Sequence, residues 1–152
     1  MTSPSSCNHR AAILTVSDKA SQGRRDDTAG PGLLSALEGA GITVTVREVV
    51  PDEPDQISAA LRRYADELDL CLVLTSGGTG FSPRDITPEA TLAVATRLAP
   101  GLAEAMRAAG LSHTPHAMLS RGVAVIRGAT LIVNLPGSPK GALEGLETIL
   151  PA

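Results

Sequence analysis

Aromatic side chains are nearly missing from this chain, which holds one phenylalanine, one tyrosine and no tryptophan. Its core must therefore be built from alanine, valine, leucine and isoleucine. The same scarcity argues against binding single-stranded nucleic acid, which needs aromatic platforms for stacked bases. Basic charge is not in excess either: the formal net charge is −3, so no electrostatic footprint for nucleic acid is present. No apolar run reaches the length of a membrane span. Residues 1–9 are rich in serine and proline and lack the hydrophobic stretch of a secretory signal. A cytoplasmic location is expected. Cysteine is sparse, with only Cys7 and Cys71. A bridge between them is one reading, and two reduced thiols in a cytosolic protein is the simpler one.

What remains suits one globular domain. Of the 152 residues, 43% are hydrophobic and 19% charged, enough apolar material for a real core. Residues 1–9 are expected to form a flexible tail and 10–152 a single domain. Residues 11–16 (AAILTV) read as a strand, 17–30 as a long polar loop, and the leucines after Pro31 as a helix. Residues 42–50 alternate and are β-branched, a second strand. A PDEP turn follows, then a helix capped by Asp55 that runs to about residue 67. Residues 70–74 are a continuous apolar run, typical of a central strand covered on both faces. After a glycine-rich loop, Thr87 and Pro88 open a helix expected to reach residue 99, and a shorter one spans 102–109. Residues 123–126 and 131–133 are strands at hairpin spacing, and 141–150 form a last helix. The order predicts a three-layer α/β/α domain with a mostly parallel mixed sheet and one antiparallel strand.

In such sheets ligands bind outside the carboxyl ends of the strands. Four polar loops leave those ends, at residues 17–30, 51–54, 75–87 and 134–140. In the third (TSGGTGFSPRDIT), Gly77, Gly78 and Gly80 would let phosphate approach backbone amides, with Ser76, Thr79 and Ser82 as hydroxyl donors. The glycines equally suit a loop in which they serve only turn geometry, and no lysine completes a P-loop. Asp52 and Asp85 suit a hard cation such as Mg²⁺, which takes one or two carboxylates plus phosphate oxygens. Asp52 alone reads more readily as a turn former, and Asp85 could cap the turn before Thr87. The fourth loop offers Gly137 for close approach and Ser138 and Lys140 as donors, or is a plain strand-to-helix turn. His113 and His116 lack a third ligand at matching spacing, which favours a surface role over metal binding.

Together these residues resemble the molybdopterin adenylyltransferase family, the type that includes bacterial MogA and MoaB and the G domains of gephyrin-like proteins. The resemblance is carried by Ser17-Asp18 with Gly23, Asp27, Gly30 and Pro31; by Pro51-Asp52-Glu53; by residues 75–91; by Met118-Leu119-Ser120-Arg121; and by Leu135-Pro136-Gly137-Ser138-Pro139. It covers residues 11–150. It implies a homotrimer in which the phosphate of molybdopterin attacks the α-phosphorus of ATP and pyrophosphate leaves. By position, Asp52 and Asp85 match the family's essential acidic pair, which would hold the metal, and Ser120 matches an active-site serine. Ser17, Asp18, Thr75, Ser76, Gly77, Gly78, Thr79, Gly80, Pro136, Gly137 and Ser138 match the nucleotide and pterin contacts. Ser138 stands where family members often carry asparagine. The resemblance also implies hand-over of product to a molybdate-insertion enzyme. Two other readings share the fold: a nucleotide pyrophosphatase of the competence-damage type, with water as acceptor, and a non-catalytic pterin-binding trimeric scaffold.

Overall fold

Side chains of β1 (Arg10–Val16) alternate between two apolar clusters, one on each face of a sheet. Ala11 and Ile13 enter a cluster with Leu33, Leu37, Leu74, Val133 and Leu146. Ala12, Leu14 and Val16 enter the other, with Ile57, Leu61, Tyr64, Val73 and Ile132. Helices α2 (Ala29–Gly39), α5 (Pro100–Gly110) and α6 (Pro139–Ile149) cover the first face. Helices α3 (Pro54–Arg62) and α4 (Thr87–Leu92) cover the second. The three expected layers are present. Small residues such as Ala11 and Ala12, both fully buried, fill strand positions without large side chains. This computed structural model describes residues 8–152; residues 1–7, most of the expected tail, lie outside it.

The other strands are β2 (Thr43–Val50), β3 (Leu72–Ser76), β4 (Arg97–Leu98), β5 (Ala124–Arg127) and β6 (Thr130–Leu135). Their order across the sheet is β2-β1-β3-β6-β5-β4. β2, β1, β3 and β6 are parallel neighbours, and β5 runs against both β6 and β4. The expected hairpin closes where Arg127 pairs with Thr130. From β1 the chain steps outward to β2 and then returns across β1 to β3. That reversal opens a crevice at the carboxyl ends of β1 and β3.

Several boundaries differ from the sequence reading, each for a local reason. The helix from Thr87 stops at Leu92, not residue 99. Thr96 and Ala99 instead donate their amides to Ile126 and Ala124, so this stretch becomes the edge strand β4. Asp55 lies inside the first turn of α3 and Glu53 takes the cap position. β3 lies two residues later than expected and ends in Thr75 and Ser76, both buried. A short helix, α1 (Asp18–Ser21), occupies the start of the first polar loop, where the Ser17 hydroxyl accepts the Ala20 amide at 3.1 Å. The choice between a Cys7–Cys71 bridge and two reduced thiols falls outside the described residues, which include Cys71 alone of the two. Cys71 lies at the foot of the sheet beside the start of β1, its amide bonded to the Arg10 carbonyl.

Candidate functional site

The four parallel strands deliver four loops to one end of the sheet. Gly77 and Gly78 follow β3 with φ of +102° and +68°, a region that favours glycine. A Cβ on Gly77 would lie 2.3 Å from the Val16 carbonyl oxygen. One on Gly78 would lie 2.2 Å from Thr87 Oγ1 and 3.1 Å from Asp52 Oδ1. The loop therefore touches both the end of β1 and the Asp52 turn. The amides of Gly78, Thr79 and Gly80 have no acceptor among the described residues, which leaves a run of donors for an anion.

Arg121 holds this loop from behind. Its Nε donates to the Gly80 carbonyl at 2.8 Å and Nη2 to the Asp85 carbonyl at 2.6 Å. Its own amide reaches the Thr79 carbonyl at 2.9 Å, and Nη1 pairs with Glu89. By gathering the carbonyls on one side, Arg121 constrains the loop's peptide planes. Asp85 is partly engaged in its own turn, Oδ2 accepting the Ser82 amide at 3.0 Å, and it also faces Gly80, whose added Cβ would lie 2.8 Å from that oxygen.

Asp52 and Asp18 are bound reciprocally. The Asp18 amide donates to Asp52 Oδ2, and the Asp52 amide donates to Asp18 Oδ1, each at 2.9 Å. Burial pushes the Asp52 carboxyl above the usual carboxylate range. The amide bond from Asp18 opposes this, while the charges of Asp18 and Asp85 add to it. Asp18 is shifted the other way, chiefly by its bond to Arg84.

Two cavities flank these loops. One, of about 620 Å³, is lined by Ser17, Asp52, Ser76, Gly77, Gly78, Asp85, Gly137 and Ser138, with Thr15, Arg25, Asp26 and Asp27 among the rest. The other, of about 370 Å³, is mainly apolar. It lies among α5, α6 and a short 3₁₀ turn at Pro115–Leu119 that the sequence reading did not foresee. Thr79, Gly80, Ser120, Asn134, Pro136 and Ser138 line it, as do Met106, Arg107, His113 and His116. Ser138 lines both. The Ser138 hydroxyl caps α6 by accepting the Gly141 amide at 3.1 Å.

The structure thus brings Ser17, Asp52, Asp85, Ser120 and the two glycine loops to one composite site. Asp18 and Thr75 line neither cavity. Asp18 turns to Arg84, and Thr75 Oγ1 accepts a bond from Asn134 Nδ2 at 3.0 Å inside the sheet. Arg84, in the same loop as Asp85, is held by Asp18 and Glu53. His113 and His116 line the apolar cavity. Among the described residues no cluster of three His, Cys, Asp or Glu could hold a metal. Asn134 and Arg107 were not singled out by the sequence, and Arg121 entered only within a longer motif. Asn134 is buried in β6 and ties Thr75, Thr91 and the Val123 amide together.

The donor set suits a hard cation of the kind that keeps its own waters. Two carboxylates face a glycine loop, and among the described residues the buried hydroxyls of Thr15, which lines the same cavity, and of Thr87, which lies with Asp52 against Gly78, have no hydrogen-bond partner. That is the ligand count Mg²⁺ accepts when phosphate supplies the rest.

A three-layer α/β domain with a glycine-loop anion site and paired carboxylates at the strand ends defines the general class. The comparison with known proteins narrows it. The family profile described as "Probable molybdopterin binding domain" matches residues 12–152, and the chain belongs to that family. It is 46% identical over 142 residues to the molybdopterin adenylyltransferase of Haemophilus influenzae, covering 92% of this chain and 72% of that protein. It is 44% identical over 150 residues to gephyrin of Dictyostelium discoideum, covering 92% of this chain but only 21% of gephyrin. The crystal structure of the molybdopterin biosynthesis enzyme MoaB from Thermus thermophilus superposes with a TM-score of 0.89 at 56% identity, covering 93% of this chain and 89% of that one.

Proposed function

We propose that this chain transfers the adenylyl group of ATP to the phosphate of molybdopterin, in the synthesis of the molybdenum cofactor. The observation that carries this reading is the pair of unlike cavities meeting at Ser138. A two-substrate transfer needs two sites that present reacting groups to each other. The acidic cavity suits a metal-bound polyphosphate, and the apolar one suits a flat heterocycle.

In this reading a phosphate oxygen of molybdopterin bonds to the α-phosphorus of ATP. The bond from that phosphorus to the bridging β-oxygen breaks, and pyrophosphate leaves with the electron pair. Asp52 and Asp85 would hold Mg²⁺, which supplies charge neutralisation for the triphosphate. The free amides of Gly78, Thr79 and Gly80 orient phosphate oxygens, and Ser17, Ser76 and Gly137 border the nucleotide side. Ser120, Pro136 and Ser138 border the pterin. The chemistry asks the protein for positioning and charge stabilisation more than for covalent help.

The reading extends to a homotrimer in the cytoplasm, with a molybdate-insertion enzyme as recipient of the product. Relatives named molybdopterin adenylyltransferase at 46% and 43% identity support the adenylyl-transfer reading. Purified protein mixed with molybdopterin, ATP and Mg²⁺ should yield adenylylated pterin and pyrophosphate in equal amounts. Pyrophosphate release without pterin would instead establish the water-acceptor enzyme. Pterin binding with no turnover would establish the scaffold.

A further inference from the structure

Arg84 sits where three of the four loops meet, yet lines neither cavity. Its Nε and Nη2 donate to the two oxygens of Asp18 at 3.0 and 2.9 Å, and Nη2 also reaches Glu53 Oε1 at 3.0 Å. Asp18 follows β1, Glu53 follows β2, and Arg84 itself follows β3. Among the described residues, these are the only hydrogen bonds joining residues 81–86 to the loops after β1 and β2.

We propose that Arg84 is a positioning residue that fixes Asp85 relative to Asp52, through Asp18. The linkage is continuous. Arg84 is the chain neighbour of Asp85, its fork is seated on Asp18, and Asp18 is doubly bonded to Asp52. The planar guanidinium matches a carboxylate with two parallel bonds and so sets direction as well as distance. Arg84 is half exposed, and exposed ion pairs add little to stability. A bidentate bond at that place therefore serves geometry. Two carboxylates that share one cation must hold their separation closely, and misplacement by an ångström costs heavily in rate. Asp18 thereby has a role that does not require it to touch nucleotide.

This inference rests on the proposed adenylyl transfer for its kinetic arm only. The test compares the wild type with Arg84→Gln and Arg84→Lys, using amide hydrogen exchange without substrate and steady-state kinetics with molybdopterin and Mg-ATP. Arg84→Gln should speed exchange at the amides of Asp18 and Asp52, leave the melting temperature unchanged, and lower kcat on the order of tenfold or more. The Mg²⁺ concentration for half-maximal rate should rise and the KM for molybdopterin should hold. Arg84→Lys, which keeps the charge but loses the fork, should recover only part of the protection and rate. Unchanged exchange at Asp18 and Asp52 in Arg84→Gln would overturn the proposal, whatever the kinetics. So would full rescue by lysine, or a loss confined to the KM for ATP, since each would make Arg84 a simple charge beside phosphate. If the wild type transfers no adenylyl group, the adenylyl-transfer reading fails while the exchange result still decides whether Arg84 holds the loops.

Discussion

The amides of Asp18 and Asp52 each donate to the other residue's carboxylate at 2.9 Å, a closed exchange between the ends of β1 and β2. This pairing orients Asp52 but does not neutralise it. Burial still raises its carboxyl above the ordinary value. On raising the pH, the unfolded chain ionises first at this position, so stability falls as pH rises through the folded pKa. Asp52→Asn should therefore melt above the wild type at neutral pH, and the two should converge as the pH falls below the carboxylate range. The same substitution should slow adenylyl transfer and weaken its dependence on Mg²⁺. A variant that melts lower at pH 7 would show that the ionised form is stabilised by its neighbours.

Asp85 lies in a polar loop, and among the described residues its carboxylate bonds only the Ser82 amide. Asp85→Ala should fold with its core intact and show very little turnover. Near-normal turnover would remove it from the catalytic set.

Arg121 makes two side-chain bonds to backbone carbonyls of the glycine loop. Removing bonds to a charged donor costs about 1.5–3 kcal/mol each when a carbonyl is left buried, and less where water can reach. Arg121→Ala should lower stability by roughly 2 kcal/mol and raise the KM for ATP more than that for molybdopterin. Denaturant melts and initial rates read the two effects separately. Equal rises in both KM values would mean that the loop as a whole, and not its nucleotide side, had collapsed.

Gly77 combines a φ of +102° with an added Cβ only 2.3 Å from a backbone carbonyl, so no side-chain adjustment can relieve the contact. Gly77→Ala should cost about 1–3 kcal/mol from backbone strain alone, with the steric overlap added. A urea midpoint equal to that of the wild type would show that the turn has another conformation open to it.

Phe81, Leu98 and Met118 are 71%, 65% and 62% exposed. Such large apolar side chains in one chain suit burial between copies, and closed cyclic assemblies are the usual result. Light scattering at micromolar concentration should return three times the chain mass. A monomer or dimer would remove the trimer and leave the single-chain site untouched.

The layers and the parallel sheet were legible because β1 and β3 are apolar runs and the intervening helices keep helical spacing. The hairpin was legible from the short gap between β5 and β6. β4 was not. Residues 93–99 are rich in alanine and read as helix, and only the unpaired edge of β5 draws Thr96 and Ala99 into extended pairing. Thr75 and Ser76 looked like loop because they are polar. In the sheet their hydroxyls meet Asn134 and the Pro136 carbonyl, partners 59 and 60 residues away in sequence. The acidic pair was visible as residue types at strand ends. Arg121 was visible only as part of a resemblance, since its work is on carbonyls 36 to 41 positions back.

Ser138 borders both cavities, and that has a consequence for the order of departure. In the proposed reaction each substrate would occupy one cavity and could leave it alone. The adenylylated pterin, as a single molecule, would then span both, so loosening at one end would leave the other end as a tether. Rebinding of the loose end then competes with escape at a high effective concentration. The product should have a longer residence time than either substrate, and an acceptor that draws it off would set the pace of the cycle.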